Sequence, residues 1–139
     1  MAARLIALSV LAFGAAYASA STPDQRFGLK QIFDLQWAAD PRIAPNGKRV
    51  VFVRSAYDIM NDDTRNSLWV VGADGNGLRA LTPPDEDASS PRFSPDGSRI
   101  LFRSKRSGHF ELYVCNRDGS GLRQLTHLAS HCGSGRWSP

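Results

Sequence analysis

The sequence predicts an all-β fold, a partial β-propeller of two four-stranded antiparallel blades and the start of a third. A segment of apolar, strand-length runs and tight turns, residues 91–126, has a second copy in residues 42–82. Turn dipeptides containing glycine separate the runs in both copies, as they do in antiparallel hairpins. Sheets of about four strands that recur roughly every 40 to 50 residues are typical of blades arranged around an axis.

The first half of the repeat is predicted to be a strand, a turn and a second strand. Residues 94–97 read Ser-Pro-Asp-Gly, and each residue suits its position in a type I turn. The run that follows, Arg99 to Arg103, has the length and composition of a strand. Because residues 42–52 match residues 92–102 at an offset of 50 residues, both copies are expected to hold this hairpin.

The second half of the repeat is a further strand that ends in a turn. Residues 68–82 match residues 112–126 at an offset of 44 residues, so the first copy has six extra residues between its central strands. These extra residues fall in the polar stretch 56–67, which predicts a loop. The acidic, proline-rich residues 83–87 predict a solvated connection, with no spacing of ligands that suits a metal.

The central strands are near-continuous apolar runs, such as residues 50–53 and 100–102. Strands of this kind predict sheets that are covered on both faces, as neighbouring blades would do. A third copy begins where residues 135–139 match residues 91–95. We therefore expect the propeller to continue beyond Pro139, since closure typically needs about 4 to 8 blades.

The chain is predicted to have three parts. Residues 1–20 have the layout of a secretory signal peptide, with one basic residue, an apolar run and a small-x-small cleavage site at residues 18–20. The apolar run is too short for a membrane span of about 20 residues, so we expect a periplasmic or secreted protein that is not membrane-anchored after cleavage. Residues 21–40 form an amino-terminal segment, and residues 41–139 form the incomplete propeller.

The helical spacing of apolar residues predicts the limits of a helix, and the copies of the repeat predict the limits of the blades. A short helix is predicted between Asp24 and Trp37, because Leu29, Ile32, Phe33 and Trp37 fall at helical spacing. The predicted blades are residues 41–82 and 88–126, and residues 131–139 are the start of the third blade.

The charge distribution argues against a nucleic-acid partner. The net charge is only +4, and the arginines are spread through both repeats, beside strands and turns. Nucleic-acid binding requires basic residues clustered on one face or element.

The sequence predicts no catalytic residue, no cofactor site and no metal site. It has no G-x-S-x-G string of a serine hydrolase, and Ser120 and Ser134 lie in simple G-S-G strings. Asp96 and Asp118 could act as acids or bases, but their turn positions explain both residue types.

Histidine and cysteine residues offer two further candidates. His127, His131 and Cys132 have a spacing that could suit zinc, but a fourth ligand is lacking, and His109 lies apart from them. Cys115 stands where the first copy has a valine, which predicts a buried core residue. An exported protein permits a disulfide between the two cysteines, so that pairing stays open at this point.

The repeated strings resemble the blades of TolB-like propellers. The second copy reads P-R-F-S-P-D-G-S-R-I and then L-Y-V-C-N-R-D-G-S-G-L-R-Q-L-T. The stretch leading into the first copy, residues 29–50, and the polar insertion before Ser67 resemble the amino-terminal part of exported bacterial prolyl oligopeptidase-family serine peptidases, of the dipeptidyl or acylaminoacyl peptidase kind. Ala44 and Asn46 depart from the Ser and Asp of the blade motif, and both are compatible with the turn.

The resemblance implies a propeller that stands over a carboxy-terminal α/β-hydrolase domain. The propeller would restrict access to that domain, so that short peptides enter and are hydrolysed. The family's catalytic Ser, Asp and His lie in the hydrolase domain, and none falls on a residue of this sequence. The alternative is a non-enzymatic periplasmic propeller similar to TolB, which would bind protein partners on its face.

Overall fold

The computed structural model describes residues 35–129 and 132–138. The predicted signal peptide, residues 1–20, lies outside the described residues, as does most of the predicted helix between Asp24 and Trp37. None of the described residues belongs to a helix that could span a membrane.

Two four-stranded sheets make up almost all of the described chain. The first blade has the strand order β1-β2-β3-β4 and the second has β5-β6-β7-β8, with antiparallel neighbours throughout. The predicted all-β fold of two four-stranded blades is therefore confirmed. The strands are β1 Gln36–Ile43, β2 Arg49–Asp58, β3 Asp63–Gly72, β4 Arg79–Ala80, β5 Ser89–Phe93, β6 Arg99–Ser104, β7 Glu111–Asn116 and β8 Arg123–Gln124.

The first blade begins earlier than the sequence predicted. Strand β1 starts at Gln36, and Trp37 pairs with Ser55 of β2. The end of the predicted helix is thus wrong, because Gln36 and Trp37 lie in a strand, and the boundary placed between Asp40 and Pro41 falls inside β1. Pairing with β2 outweighs the helical spacing of apolar residues, which is only a local preference.

The polar insertion is also a correction to the sequence analysis. Residues 56–67 were expected to form a loop, but the β2–β3 ladder runs without a break to the pair of Asp58 and Asp63. The insertion therefore lengthens a hairpin, and its turn occupies only residues 59–62. Tyr57 pairs with Thr64 in this extension, and both residue types favour strands even where one face is in water.

The first strand of each blade contains a bulge at the same repeat position. The register shifts between Ala39 and Arg42 in β1 and between Ser89 and Arg92 in β5. Asp40 has a φ of 43° and its counterpart Ser90 a φ of 55°, which are left-handed conformations that Asp adopts more readily than most residues. Each of these two residues precedes a proline.

One apolar core joins the two blades. Leu68 of the first blade and Phe102 of the second are almost fully buried, and the Phe102 ring stacks on Tyr113 with the centroids 5.9 Å apart. Burying a side chain of this size stabilises the fold by about 1.5–3 kcal/mol. The buried core residues are Val51, Val53, Leu68, Ala88, Ile100, Phe102, Tyr113 and Cys115.

The two blades differ in how their outer faces are covered. On the second blade, residues 132–138 lie over the face opposite the core, and Gly135 packs so closely that an added Cβ would be 2.8 Å from Leu101 Cδ2. On the first blade, Phe52 and Trp69 remain half-buried on the outer face, with the Arg54 guanidinium 4.4 Å from the Trp69 ring centroid. Among the described residues, coverage on both faces is therefore seen for the second blade.

Tight turns at one end of the blades hold them in a fixed relation. We call this the turn end; it contains residues 44–48 and 73–77 and their counterparts in the second blade. Within each blade one turn binds the other, since Ala73 N–H donates to Lys48 O at 2.9 Å and Arg117 N–H donates to Ser98 O at 2.9 Å. Between blades, Gly97 lies against Pro45.

Gly97→Ala is expected to destabilise the protein by about 1–2 kcal/mol, the cost of a left-handed conformation for a residue with a Cβ. Gly97 has a φ of 70°, and its new methyl group would also be 3.2 Å from Pro45 Cδ. The matched control is Gly133→Ala, because nothing lies within 4 Å of a Cβ at Gly133. Chemical denaturation of the intact protein measures both changes, and equal losses would contradict this packing of the turn end.

The connection between β4 and β5 is solvated over residues 83–85, which are exposed, while Glu86 and Asp87 are half-buried. It forms a short 3₁₀ helix, Pro84–Glu86, and is tied to both blades. Asn66 Nδ2 of the first blade donates to Asp87 Oδ1 at 2.8 Å. From the second blade, Ser104 Oγ donates to Glu86 O at 2.6 Å, and Lys105 N–H donates to the same carbonyl at 3.0 Å.

A threonine closes the end of each blade in the same way. Thr82 Oγ1 accepts a hydrogen bond from Leu68 N–H at 2.9 Å, and Thr126 Oγ1 accepts one from Leu112 N–H at 2.9 Å. These threonines end the Leu-Thr pair that both copies of the repeat share. The repeated threonine thus satisfies a strand N–H that would otherwise lack a partner where the outer strand stops.

Candidate functional site

Asp96 was a candidate acid or base, and the structure places it in a turn. Its carboxylate accepts hydrogen bonds from Ser94 Oγ at 2.5 Å and from the N–H and Oγ of Ser98 at 3.1 and 2.7 Å. Bonds from Ser94 first, and then from Ser98, lower the pKa of Asp96 to about 2. A carboxylate held ionised in this way is a poor proton shuttle near neutral pH.

Asp118 and Ser120 occupy the equivalent of the Asp74 turn in the first blade. Ser120 donates to Asp118 Oδ1 from its Oγ at 2.6 Å and from its N–H at 3.0 Å. These bonds lower the pKa of Asp118, and bonds from Asn76 lower the pKa of Asp74. The hydroxyl of Ser120 therefore donates to a turn carboxylate, and the lowered pKa of Asp118 makes that carboxylate a poor base for activating a nucleophile.

The stabilisation provided by Asp96 is expected to depend on pH. Because the pKa of the folded-state carboxyl lies below its ordinary value of 3.8, this stabilisation is complete above about pH 4 and is lost as the pH falls through about 2. Asp96→Asn should therefore lower the unfolding midpoint near neutral pH, and its difference from the wild type should shrink below about pH 4. If the unfolding midpoints of the wild type and Asp96→Asn changed in parallel from about pH 6 to pH 2, this prediction would be refuted. The control is Asp85→Asn, which removes an exposed carboxylate outside this turn.

The histidines do not form a metal site in the described part of the chain. His109 and His127 are exposed, while His131 lies outside the described residues. Over the described ranges, no three His, Cys, Asp or Glu side chains are close enough to hold an ion together.

Both cysteine thiols are free and buried. Cys115 lies in the core between the blades, and burial raises the pKa of its thiol to about 11. Cys132 N–H donates to Phe110 O at 3.3 Å. Phe110 lies five positions before Cys115 in the sequence, along the direction of strand β7. That separation is about 16 Å at the rise of a strand, beyond the roughly 7 Å limit for a disulfide, so the pairing left open by the sequence is not formed.

The first strands of the two blades lie toward the propeller axis. Strand β5 contacts β1 and also approaches β2 and β3 of the preceding blade. Blades of a propeller spread outward from a central channel, so the strands that approach a neighbouring blade most closely belong to the inner side. These contacts favour an inner position for β1 and β5 in the propeller.

Three arginines at one repeat position gather on this inner side. Arg42, Arg92 and Arg136 are the second residues of the Pro-Arg or Gly-Arg pair that begins each copy. Asp40 binds two of them, with Arg42 Nη2 2.6 Å from Oδ1 and Arg92 Nη1 3.0 Å from Oδ2. Arg136 is exposed and has no carboxylate partner among the described residues.

These arginines line a cleft of about 300 Å³, which we call the inner-strand cleft. Trp137 is anchored in its wall, because its Nε1–H donates to Arg92 O at 3.1 Å. The residues that line the cleft are Arg42, Arg92, Phe93, Ser134, Gly135, Arg136 and Trp137. This cluster was not predicted from the sequence, although the arginine that recurs in every copy was a visible signal.

Curated proteins similar to the chain are peptidases and TolB. Dipeptidyl-peptidase 5 of Porphyromonas endodontalis is 37% identical over 70 residues, covering 50% of this chain and 10% of that protein. Dipeptidyl-peptidase 5 of Porphyromonas gingivalis is 28% identical over 109 residues, covering 78% and 16%. The Tol-Pal system protein TolB of a Ruegeria species is 36% identical over 66 residues, covering 48% and 14%. The matched segments thus span a tenth to a sixth of these relatives, and no protein-family model matches the chain.

Solved structures similar to the chain share its fold. The acylaminoacyl peptidase of Pyrococcus horikoshii has a TM-score of 0.57 at 21% identity, covering 70% of this chain and 15% of that one. The β-propeller domain of the trilobed protease of Pyrococcus furiosus has a TM-score of 0.52 at 23% identity, covering 67% and 28%. A putative TolB from Agrobacterium tumefaciens has a TM-score of 0.51 at 23% identity, covering 68% and 31%.

The fold therefore defines the class of the chain as part of a β-propeller with TolB-like blades. The sequence resemblance to the propeller portion of prolyl oligopeptidase-family peptidases is confirmed, because named relatives are peptidases and the fold neighbours include peptidase propellers.

Proposed function

We propose that the chain is the amino-terminal propeller of an exported serine peptidase that hydrolyses short peptides. The observation that carries the proposal is the 28% identity to dipeptidyl-peptidase 5 of Porphyromonas gingivalis over 109 residues, which is 78% of this chain. In this proposal the catalytic serine belongs to an α/β-hydrolase domain that follows the propeller in the whole protein, and the propeller admits short peptides to it. The turn roles of Asp96, Asp118 and Ser120 in the structure are consistent with a chain that carries no triad of its own.

Export is part of the proposal and rests on residues 1–20. The layout of that segment is that of a signal peptide. Peptides in the periplasm or outside the cell would be the substrates, and access through the propeller would exclude folded proteins.

A serine-reactive fluorophosphonate probe tests the proposal on the intact protein. We expect labelling at a serine in a G-x-S-x-G string after further blades, hydrolysis of chromogenic dipeptide substrates, and no cleavage of a folded protein. Ser120→Ala is the matched control, because its hydroxyl is held by a turn, and it should leave labelling unchanged. A stop codon after the last blade, with no labelling, would overturn the proposal.

The second candidate is a non-enzymatic propeller that binds protein partners, as the similarity to TolB suggests. It would show no labelling and no hydrolysis. The curated peptidase relatives match longer segments of this chain than TolB does, which is why we place the peptidase first.

A further inference from the structure

We propose that the tip of the long β2–β3 hairpin, residues 59–62, docks on the domain that follows the propeller. The docking side chains are Ile59 and Met60, and their occupant is an apolar patch on the face of that domain turned toward the propeller. The inference rests on the proposed function, which places an α/β-hydrolase domain after the last blade. Its basis is the direction of the strands, the length and order of the hairpin, and the chemistry of its tip.

The strand order places the start and the end of each blade at one end of the molecule. Strand β1 runs toward the turn end and β4 runs away from it, and β5 and β8 do the same in the second blade. We call the end opposite the turn end the connection end; it contains residues 81–88 and the hairpin tip. Because the blades of a propeller repeat one topology around the axis, a domain joined to the last blade attaches at the connection end. The hairpin tip therefore lies on the side where that domain stands.

The first blade extends further at the connection end than the second blade does. Its β2–β3 ladder has ten residue pairs, and the β6–β7 ladder has six. The six inserted residues, three in each strand, add about 10 Å of reach at the rise of a strand. The hairpin tip can thus contact a domain that the shorter hairpin of the second blade does not reach.

Hydrogen bonds order the hairpin tip. The carboxylate of Asp58 accepts bonds from Met60 N–H at 3.1 Å and from Asn61 Nδ2 at 2.6 Å. Arg65 Nε donates to the same carboxylate at 2.6 Å from the opposite strand. A segment that is already ordered loses little conformational entropy when it binds, so this turn is suited to docking.

The side chains at the hairpin tip are apolar, in contrast with those of the second blade. Within the described residues Ile59 is 53% exposed and Met60 is 90% exposed. The connection between β6 and β7 begins Lys-Arg-Ser-Gly-His, and its one apolar residue, Phe110, is half-buried. A single exposed apolar residue is ordinary, whereas methionine is enriched in protein interfaces. Two adjacent apolar side chains on an ordered turn favour contact with another apolar surface.

Cross-linking of the intact protein tests the assignment. A benzophenone maleimide is attached to Met60→Cys; Cys115 and Cys132 are buried, and buried thiols react poorly. After illumination, mass spectrometry is expected to find cross-links within one chain, to residues of the hydrolase domain. Cross-links between two chains, which double the mass on a denaturing gel, would assign the tip to a second copy and overturn the proposal, as would the absence of any cross-link.

The matched control is His109→Cys. His109 is exposed in the shorter hairpin of the second blade, so the same reagent should give far fewer cross-links to the hydrolase domain there. Equal cross-linking from both hairpins would contradict a specific role for the longer one.

Oxidation of Met60 by dilute peroxide measures its accessibility in the unmodified protein. Because the reagent must reach the thioether, a docked Met60 should form its sulfoxide at least about fivefold more slowly in the native intact protein than after unfolding in urea. Equal rates in the two states would show that nothing covers the side chain.

The docking and the proposed function can fail separately. Cross-links to a following domain that the fluorophosphonate probe does not label would contradict only the peptidase function. Serine labelling without cross-links from Met60→Cys would contradict only the docking of the hairpin tip.

Discussion

Leu68→Ala is expected to destabilise the protein by about 2–5 kcal/mol, the range for a leucine removed from a packed core. Leu68 is 0% exposed and lies in the core that joins the two blades. Its loss would leave a cavity against residues of both sheets, which are too closely packed to collapse fully into it. Chemical denaturation of the intact protein measures the effect. The shift in denaturation midpoint gives the loss of stability, provided that the dependence of the unfolding free energy on denaturant concentration is unchanged.

The matched control is Leu122→Ala. Leu122 carries the same side chain but is 45% exposed in the turn before the last strand. Its truncation should cost well under half as much as that of Leu68, because less apolar surface returns to water. If both substitutions cost the same, the core between the blades is not what holds them together.

Thr82→Val should destabilise the protein by about 1–3 kcal/mol, the cost of leaving a buried donor without its partner. Thr82 is 4% exposed, and its Oγ1 accepts the hydrogen bond of Leu68 N–H. Valine keeps the shape of threonine but supplies no acceptor. Denaturation midpoints give the free energy, and faster amide hydrogen exchange at Leu68 would assign the loss to this bond.

Thr64→Val serves as the control for that experiment. Thr64 is half-buried in β3, and its hydroxyl makes no hydrogen bond within the described residues. Valine is also favourable in a strand, so the change should be close to neutral. A loss of stability as large as that of Thr82→Val would show that removing any threonine hydroxyl is costly. The effect at Thr82 could then not be assigned to the loss of its Oγ1 as a hydrogen-bond acceptor.

The sequence could predict the blades because their turns are set locally. Ser94 and Asp96 hold their turn through short-range hydrogen bonds, so the residue types alone indicate the conformation. Comparison of the two copies then gave the strands on either side. Where pairing depended on a distant strand, local patterns were misleading: Trp37 fits a helical spacing and lies in β1, and the polar stretch after Ala56 continues a ladder.

The inner-strand cleft could not be derived from local patterns. Arg42, Arg92 and Arg136 are separated by 50 and then 44 residues, and they meet only because successive blades bring their first strands together. The ion pair of Arg92 with Asp40 crosses from one blade to the next, so it follows from the packing of blades and not from the composition of either repeat. The repeat identifies the three arginines as equivalent positions, but it does not show that they line the same cleft.

The long β2–β3 hairpin shows which changes in length this architecture tolerates. The insertion in the first copy has an even number of residues, six, so it can be divided equally between two paired strands. The pairing of Val53 with Leu68 and the face that each presents to the second blade are then unaffected. An insertion of odd length would need a bulge or a turn of different length to keep the pairing of the core residues. The tip of this hairpin can therefore vary in length without changing the face that each strand presents to the second blade, while the turns that pack against the neighbouring blade cannot.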